Sequence, residues 1–173
     1  LQLDKILGAQ APESDKAGVE AHDEMLFIII HQAYELWFKQ VLYEVGSVME
    51  IFKNKEVDDN GGELNIAVHR LQRVKTILEV LVHQWEIMET MTPLDFLDFR
   101  DLLRPASGFQ SMQFKILEAR LGLRMEARFG KMYYTSQLRP DHKAQIDALE
   151  NEPTLLERMN SCLQRMPFFE QHL

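Results

Sequence analysis

Residues 22–52 read HDEMLFIIIHQAYELWFKQVLYEVGSVMEIF, and the fold follows from how this stretch is read. From Met25 onward apolar residues occupy most of the circumference of a helix of about 28 residues, roughly 42 Å long at the usual rise. A helix apolar on so many sides needs neighbours around it, which places it in the middle of a bundle. The apolar run Met25–Ile30 is followed by His31, Gln32, Glu35, Lys39 and Glu44, so the stretch is too polar to span a membrane. Asp23 stands where a capping carboxylate would accept the free N–H groups of the first turn. His31 falls in the most apolar part, with Phe27 one turn before it and Glu35 one turn after.

Outward from this helix, KNKEVDDNGGE (53–63) is charged and contains Asn60-Gly61-Gly62, a loop signal that joins two long helices. The second helix is expected from Leu64 to about Met91. Leu64, Ala67, Leu71, Val74, Leu78, Leu81, Trp85 and Met88 alternate by three and four, a seam against another helix. Ile66, Ile77, Val80, Val82 and Ile87 widen that seam, which predicts burial on more than one side. Thr92-Pro93-Leu94-Asp95 then starts a short helix: a capping hydroxyl, a proline at the first helical position and an acid at the positive helix end. Arg104-Pro105-Ala106-Ser107-Gly108 ends it. A further helix is expected at roughly 109–128, followed by Gly130 and the loop KMYYTSQLRP, with shorter helices over 141–150 and 153–165. No stretch alternates with period two, so the fold class is all-α: a helical bundle built on long central helices.

Upstream, Leu1, Leu3, Ile6 and Leu7 have near-helical spacing, but Gly8 and Pro12 stop the pattern, and residues 12–23 read as a loop. We therefore expect an N-terminal arm and loop at 1–21 and a helical domain at 22–173, incomplete at its C-terminus. The chain begins without Met and stops with the apolar groups of Phe168, Phe169 and Leu173 unburied, as a piece of a longer polypeptide would. Its first residues lack the pattern of a signal peptide. With 46% apolar and 27% charged residues, 173 residues suit one globular domain. The net charge of −8, with no basic stripe, argues against nucleic acid. A single cysteine, Cys162, leaves no internal disulfide framework and no multi-thiolate zinc site, and fits a reducing cytoplasm.

Metal chemistry finds no spaced Glu-x-x-His pairs and no His-x-x-x-His. His69 and His83 share a helix face about four turns apart, too far for one ion, and read as surface residues. His31 taken alone reads as a core histidine bonded to a neighbour. With Phe27 it would also make one wall for a flat ligand carrying a polar N–H. Arg100, inside LDFLDFRDLL (94–103), is either neutralised by Asp95, Asp98 and Asp101 or free to take a ligand carboxylate in its planar fork. Pro105-Ala106-Ser107-Gly108-Phe109 is either a capped turn or a close approach for a large ligand. An imidazole, aromatic walls and a buried arginine together describe a pocket for an aromatic amino acid.

HDEMLFIIIHQAYELWFKQ (22–40) and MTPLDFLDFRDLLRPASGFQSMQFKILE (91–118), with the arm LQLDKIL (1–7), resemble the tryptophan 2,3-dioxygenase family. The resemblance is carried by residues before Gly122. It implies an all-helical subunit of a cytoplasmic homotetramer, with haem between helices and L-tryptophan against its distal face. It implies dioxygenase activity: O2 is inserted across the indole C2–C3 bond to give N-formyl-L-kynurenine, the first step of tryptophan degradation by the kynurenine route. By motif position His31 resembles the distal histidine that orients the indole N–H. Phe27, Ile28, Ile29, Ile30, Phe96 and Arg100 resemble substrate-binding positions, Arg100 being the carboxylate grip. Phe96 stands where some members have tyrosine. Trp85, Leu103, Ser107 and Gly108 match positions beside the haem. The family's proximal histidine is expected beyond residue 173, as are its substrate-ammonium threonine and, before the arm, its intersubunit tyrosines. These 173 residues alone are expected to be inactive. The competing expectation is a haem-free helical binding or assembly module, or an inactive fragment. The indoleamine dioxygenase branch lacks these blocks in this form.

Overall fold

The computed structural model describes residues 1–54, 57, 62–124, 135–136 and 138–166. In chain order the helices are α1 (Leu3–Leu7), α2 (Glu13–Ala17), α3 (Asp23–Lys53), α4 (Gly62–Met88), α5 (Pro93–Arg100), α6 (Met112–Leu121), α7 (Pro140–Leu149) and α8 (Leu155–Leu163). Short 3₁₀ turns at Asp101–Leu103 and Gly108–Gln110 join α5 to α6. Among the described residues there is no strand, and the all-α expectation holds. No helix of the described residues is long and apolar enough to cross a membrane. The Asn60-Gly61 part of the expected loop, the segment 125–134 and the terminal residues 167–173 lie outside the described residues.

The long helix is central, as its apolar girth requires: α3 packs against α4, α5, α6 and α8. Val41, Val45 and Met49 meet Val74, Ile77 and Leu81 of α4 and Leu117 of α6 in one core cluster. A second cluster joins Val48 and Phe52 to Ala67, Cys162 and Met166, and Leu155 packs against both. Two polar ties reinforce the α3–α4 seam. Tyr34 Oη donates to the Leu81 carbonyl at 2.7 Å. The buried Glu44 carboxylate accepts from Arg73 Nη1 at 2.6 Å and from Gln40 Nε2 at 2.8 Å, so its charge is compensated.

Several expectations are corrected. The seam of α4 is buried through Ala67, Val74, Ile77 and Leu81, but Ile66, Val80, Val82, Trp85 and Ile87 are exposed, so only one side of the wide stripe is covered by described residues. Asp23 is the first residue of α3 rather than its cap, because the Glu24 N–H already donates to the Ala21 carbonyl and starts the helix earlier. The expected loop at 12–23 contains α2. The helix expected at 109–128 runs only from Met112 to Leu121, since Gly122 takes φ 100°, a left-handed stop that favours glycine. Its cap is Ser111, whose Oγ accepts the Phe114 N–H at 3.2 Å, and not Ser107.

Helix α2 is held by one buried acid. The Glu24 carboxylate accepts the Glu13 N–H at 2.8 Å and the Ser14 N–H at 2.9 Å, tying α2 to the start of α3. Burial pushes its pKa up, but the Ser14 hydroxyl and N–H, the Glu13 N–H and the charge of Lys16 outweigh it and hold the carboxyl below its ordinary 4.5. The unfolded chain therefore binds this proton more readily than the native one. The stabilisation is fully present above pH 4.5 and is lost as pH falls through the lower native value. Amide hydrogen exchange at Glu13 and Ser14 should accelerate in that window. Glu24→Gln should make exchange there fast and independent of pH across the same window once intrinsic rates are corrected; unchanged protection would sink this account.

Candidate functional site

On α3, Phe27 and His31 are one turn apart, and their rings lie with centroids at 4.0 Å and planes tilted by 37°. His31 Nδ1 lies 2.7 Å from the Phe27 carbonyl oxygen. A carbonyl can only accept, so Nδ1 carries the hydrogen, and Nε2 of the neutral ring is an acceptor. His31 is exposed, which corrects the expectation of a core histidine: its side of α3 faces outward while the adjacent Ile30 is buried. Ile28 is half-buried and Ile29 exposed, as successive residues on a helix must diverge by about 100°.

The partner wall is α5. Thr92 caps it as its sequence requires: Thr92 Oγ1 accepts the Asp95 N–H at 3.3 Å, and the Thr92 N–H donates to Asp95 Oδ2 at 2.8 Å. The Thr92 hydroxyl and N–H hold the Asp95 carboxyl below the usual carboxylate range. This start directs Phe96 and Phe99, three residues apart, to one face. Phe99 is wholly buried, its ring edge-on to Phe27 at 5.6 Å and to Phe96 at 5.4 Å. Phe96 lies 5.7 Å from Phe27. Arg100, one turn beyond Phe96, holds its guanidinium carbon 5.9 Å from the Phe96 ring centroid.

Two of the three aspartates that could have neutralised Arg100 are engaged elsewhere, and the exposed Asp98 forms no ion pair with it. Asp95 is bound by Thr92, and Asp101 pairs with Arg104 at 3.1 Å. Arg100 forms no ion pair with the described residues, and it is exposed rather than buried as expected. The structure thus strings His31, Phe27, Phe96 and Arg100 into one continuous outward wall backed by Phe99. An acceptor nitrogen at one end, flat apolar faces between and, at the other, a fork of donors with no ion pair among the described residues can hold a flat molecule with an N–H and a carboxylate.

The remaining candidates lie around this wall. Trp85 is 56% exposed near the end of α4, where the adjacent Gln84 reaches the Ile30 carbonyl at 3.5 Å. Leu103 is half-buried in the turn after α5, and Ser107 and Gly108 are exposed. The Ser107 N–H donates to Gln110 Oε1 at 3.1 Å. Among the described residues, beyond Gly108 and its two chain neighbours, no atom lies within 4 Å of where a Cβ on Gly108 would stand. Two shallow grooves, of about 440 and 420 Å³, run along α4 and are lined by none of the candidate residues. Among the described residues no group of three or more His, Cys, Asp or Glu could hold a metal ion. Sequence reasoning missed Phe99, which backs the wall, and Glu35, whose carboxylate accepts from Ser111 Oγ and Gln113 Nε2. Phe99 was signalled by its spacing of three from Phe96, and Glu35 by its place one turn after His31.

A family model described as tryptophan 2,3-dioxygenase matches residues 1–173, extending the likeness past Gly122. A relative named tryptophan 2,3-dioxygenase from Alteromonas mediterranea is 52% identical over 172 residues, which is 98% of this chain and 47% of the relative. Proteins of the same name from Rattus norvegicus and Xenopus laevis are 47% and 46% identical, over 99% of this chain and 43% and 42% of their own lengths. The chain spans less than half the length of these curated relatives.

Proposed function

The chain belongs to the tryptophan 2,3-dioxygenase family, and from that premise we propose that the intact gene product is a haem-dependent dioxygenase of L-tryptophan. The reaction adds both atoms of O2 across the indole C2–C3 bond and yields N-formyl-L-kynurenine. The observation that carries this reading is the guanidinium of Arg100, without an ion pair among the described residues, at one end of an aromatic wall whose other end is His31. Arg100 takes the substrate carboxylate through its two-pronged donor face. Nε2 of His31 accepts the indole N–H, a role that needs the neutral ring tautomer set by the Phe27 carbonyl. Phe27 and Phe96 flank the indole and exclude water. Phe96 brings no hydroxyl to this contact.

Haem is a flat, largely apolar macrocycle, and the residues assigned beside it suit its edge. Exposed Trp85 and half-buried Leu103 offer apolar surface, and the open space at Gly108 lets a planar group approach the backbone. When bound, haem supplies O2 binding and the oxidative chemistry. The proximal histidine is proposed to come from sequence outside these residues. The chain's own contribution is orientation: His31 positions the indole and is not an obligatory base. A cytoplasmic homotetramer is part of the proposal. The exposed Leu1, Leu3, Ile6 and Leu7 around α1, which buries no residue, support an arm that reaches a neighbouring subunit.

The test is spectroscopic. The intact gene product, reconstituted with haem, should show a Soret band that shifts on tryptophan addition; a polypeptide that takes up no haem ends the enzyme reading. His31→Ala should lower kcat/KM about 10- to 100-fold, the loss of one hydrogen bond to a positioned substrate, and should retain its haem. Complete loss of haem from that variant would refute the distal assignment.

A further inference from the structure

Glu35 stands one turn beyond His31 on α3, yet its carboxylate is committed to α6. Ser111 Oγ donates to Oε1, and Gln113 Nε2 donates to Oε2 at 2.7 Å and to the Glu35 carbonyl at 2.8 Å. Ser111 Oγ also accepts the Phe114 N–H at 3.2 Å, so the residue that caps α6 is itself held by α3. The Ser111 N–H in turn donates to the Gly108 carbonyl at 3.3 Å, and the Gln110 N–H to the Ser107 carbonyl at 3.0 Å. The turn Ser107–Gln110 is thereby chained, bond by bond, to the helix that carries Phe27 and His31.

We propose that Glu35 is a positioning residue that fixes the Ser107-Gly108 turn, and the cofactor edge assigned to it, in register with the substrate wall of Phe27 and His31. This rests on the haem-dioxygenase reading above. The physical basis is twofold. Hydrogen bonds to an ionised acceptor are about twice as strong as neutral ones, and a carboxylate gripped at both oxygens fixes orientation as well as distance. A displacement of about 1 Å between reacting partners costs on the order of 100-fold in rate, so a strut of this kind acts on function beyond its share of stability. General helix adhesion would be served equally by the adjacent tie of Tyr34 to the Leu81 carbonyl, which joins α3 to α4 and does not touch the turn.

The experiment uses the intact, haem-reconstituted gene product and reads the tryptophan Kd from the Soret shift, with Tm measured alongside. Glu35→Ala should weaken tryptophan binding about 10-fold, and Glu35→Gln should recover it to within about threefold, because a carboxamide oxygen still accepts the Ser111 hydroxyl. Ser111→Ala should weaken binding about threefold to 10-fold, and the Glu35→Ala/Ser111→Ala double variant should be no worse than Glu35→Ala alone, the mark of one shared interaction. Tyr34→Phe should lower Tm while leaving the tryptophan Kd within twofold. Amide exchange of Gln110 and Ser111 in the haem-free protein should accelerate about 10-fold in Glu35→Ala. If Glu35→Ala does not fold, Ser111→Ala and Glu35→Gln decide the matter by the same readouts. A folded Glu35→Ala, or failing that Ser111→Ala, with tryptophan affinity within twofold of the parent, or additive losses in the double variant, overturns the positioning role alone. A parent protein that shows no tryptophan-dependent Soret shift overturns the haem-dioxygenase reading and this inference with it.

Discussion

Replacing Arg100 with leucine is expected to weaken tryptophan binding about 100-fold while leaving the stability of the protein nearly unchanged. The guanidinium is exposed and forms no ion pair among the described residues, so its removal loses only the exposed contact over the Phe96 ring and should alter stability by no more than about 1 kcal/mol. In the proposed role it removes a forked contact to the substrate carboxylate, worth about 3 kcal/mol when both bonds form, or roughly two decades of affinity. Arg100→Lys should recover only part of this, because an ammonium is a point charge without the planar fork. The Kd from a Soret titration measures the effect, and the ligand set assigns it. Tryptamine, which lacks the carboxylate, should bind the parent and Arg100→Leu equally. An equal loss for tryptamine would place Arg100 somewhere other than at the carboxylate.

Phe99→Ala should destabilise the fold by about 3–5 kcal/mol, the usual cost of emptying an aromatic site in a packed core. Phe99 is wholly buried, and its ring supports both Phe27 and Phe96 edge-on. Against a total stability of about 5–15 kcal/mol, that is a large fraction. Phe99→Leu keeps most of the volume and should cost less than about 1.5 kcal/mol. Leu97→Ala is the control, since Leu97 is 56% exposed on the same helix and should change stability little. Urea denaturation of the four proteins distinguishes these outcomes, and comparable midpoints for Phe99→Ala and Leu97→Ala would remove Phe99 from the core. Because Phe99 backs the wall, the leucine variant should also bind tryptophan more weakly, with the carboxylate contact intact.

The helices that carry this site were legible in the residues. The apolar girth of 22–52 required a central helix, and α3 is central. Thr92 and Pro93 marked the start of α5, and the helix begins at Pro93. The alternation by three and four that runs through Ala67, Leu71, Val74, Leu78 and Leu81 marked the α4 seam, and Ala67, Val74 and Leu81 are buried. Such features are local: a period, a cap or a missing N–H acts within one or two turns, so the chain states them directly.

Exposure and pairing were not local, and the residues alone misjudged them. Nothing in 22–40 distinguishes a histidine facing the core from one facing outward, because an all-round apolar helix has no face until its neighbours choose one. Packing of α4, α6 and α8 against α3 made that choice, and it left His31 exposed above Phe27. The fate of Arg100 depended likewise on which partners Asp95 and Asp101 took, and Thr92 and Arg104 took them. Residue types and spacing determined an all-helical chain and its long central helix, and the resemblance of two sequence blocks to one family placed Phe27, His31, Phe96 and Arg100 in that family's pattern. The tertiary structure decided that the side chains of these four residues form one wall, that Phe99 stands behind it and that Glu35 ties it to α6, because such contacts join residues far apart in the chain and exist only once the helices have packed.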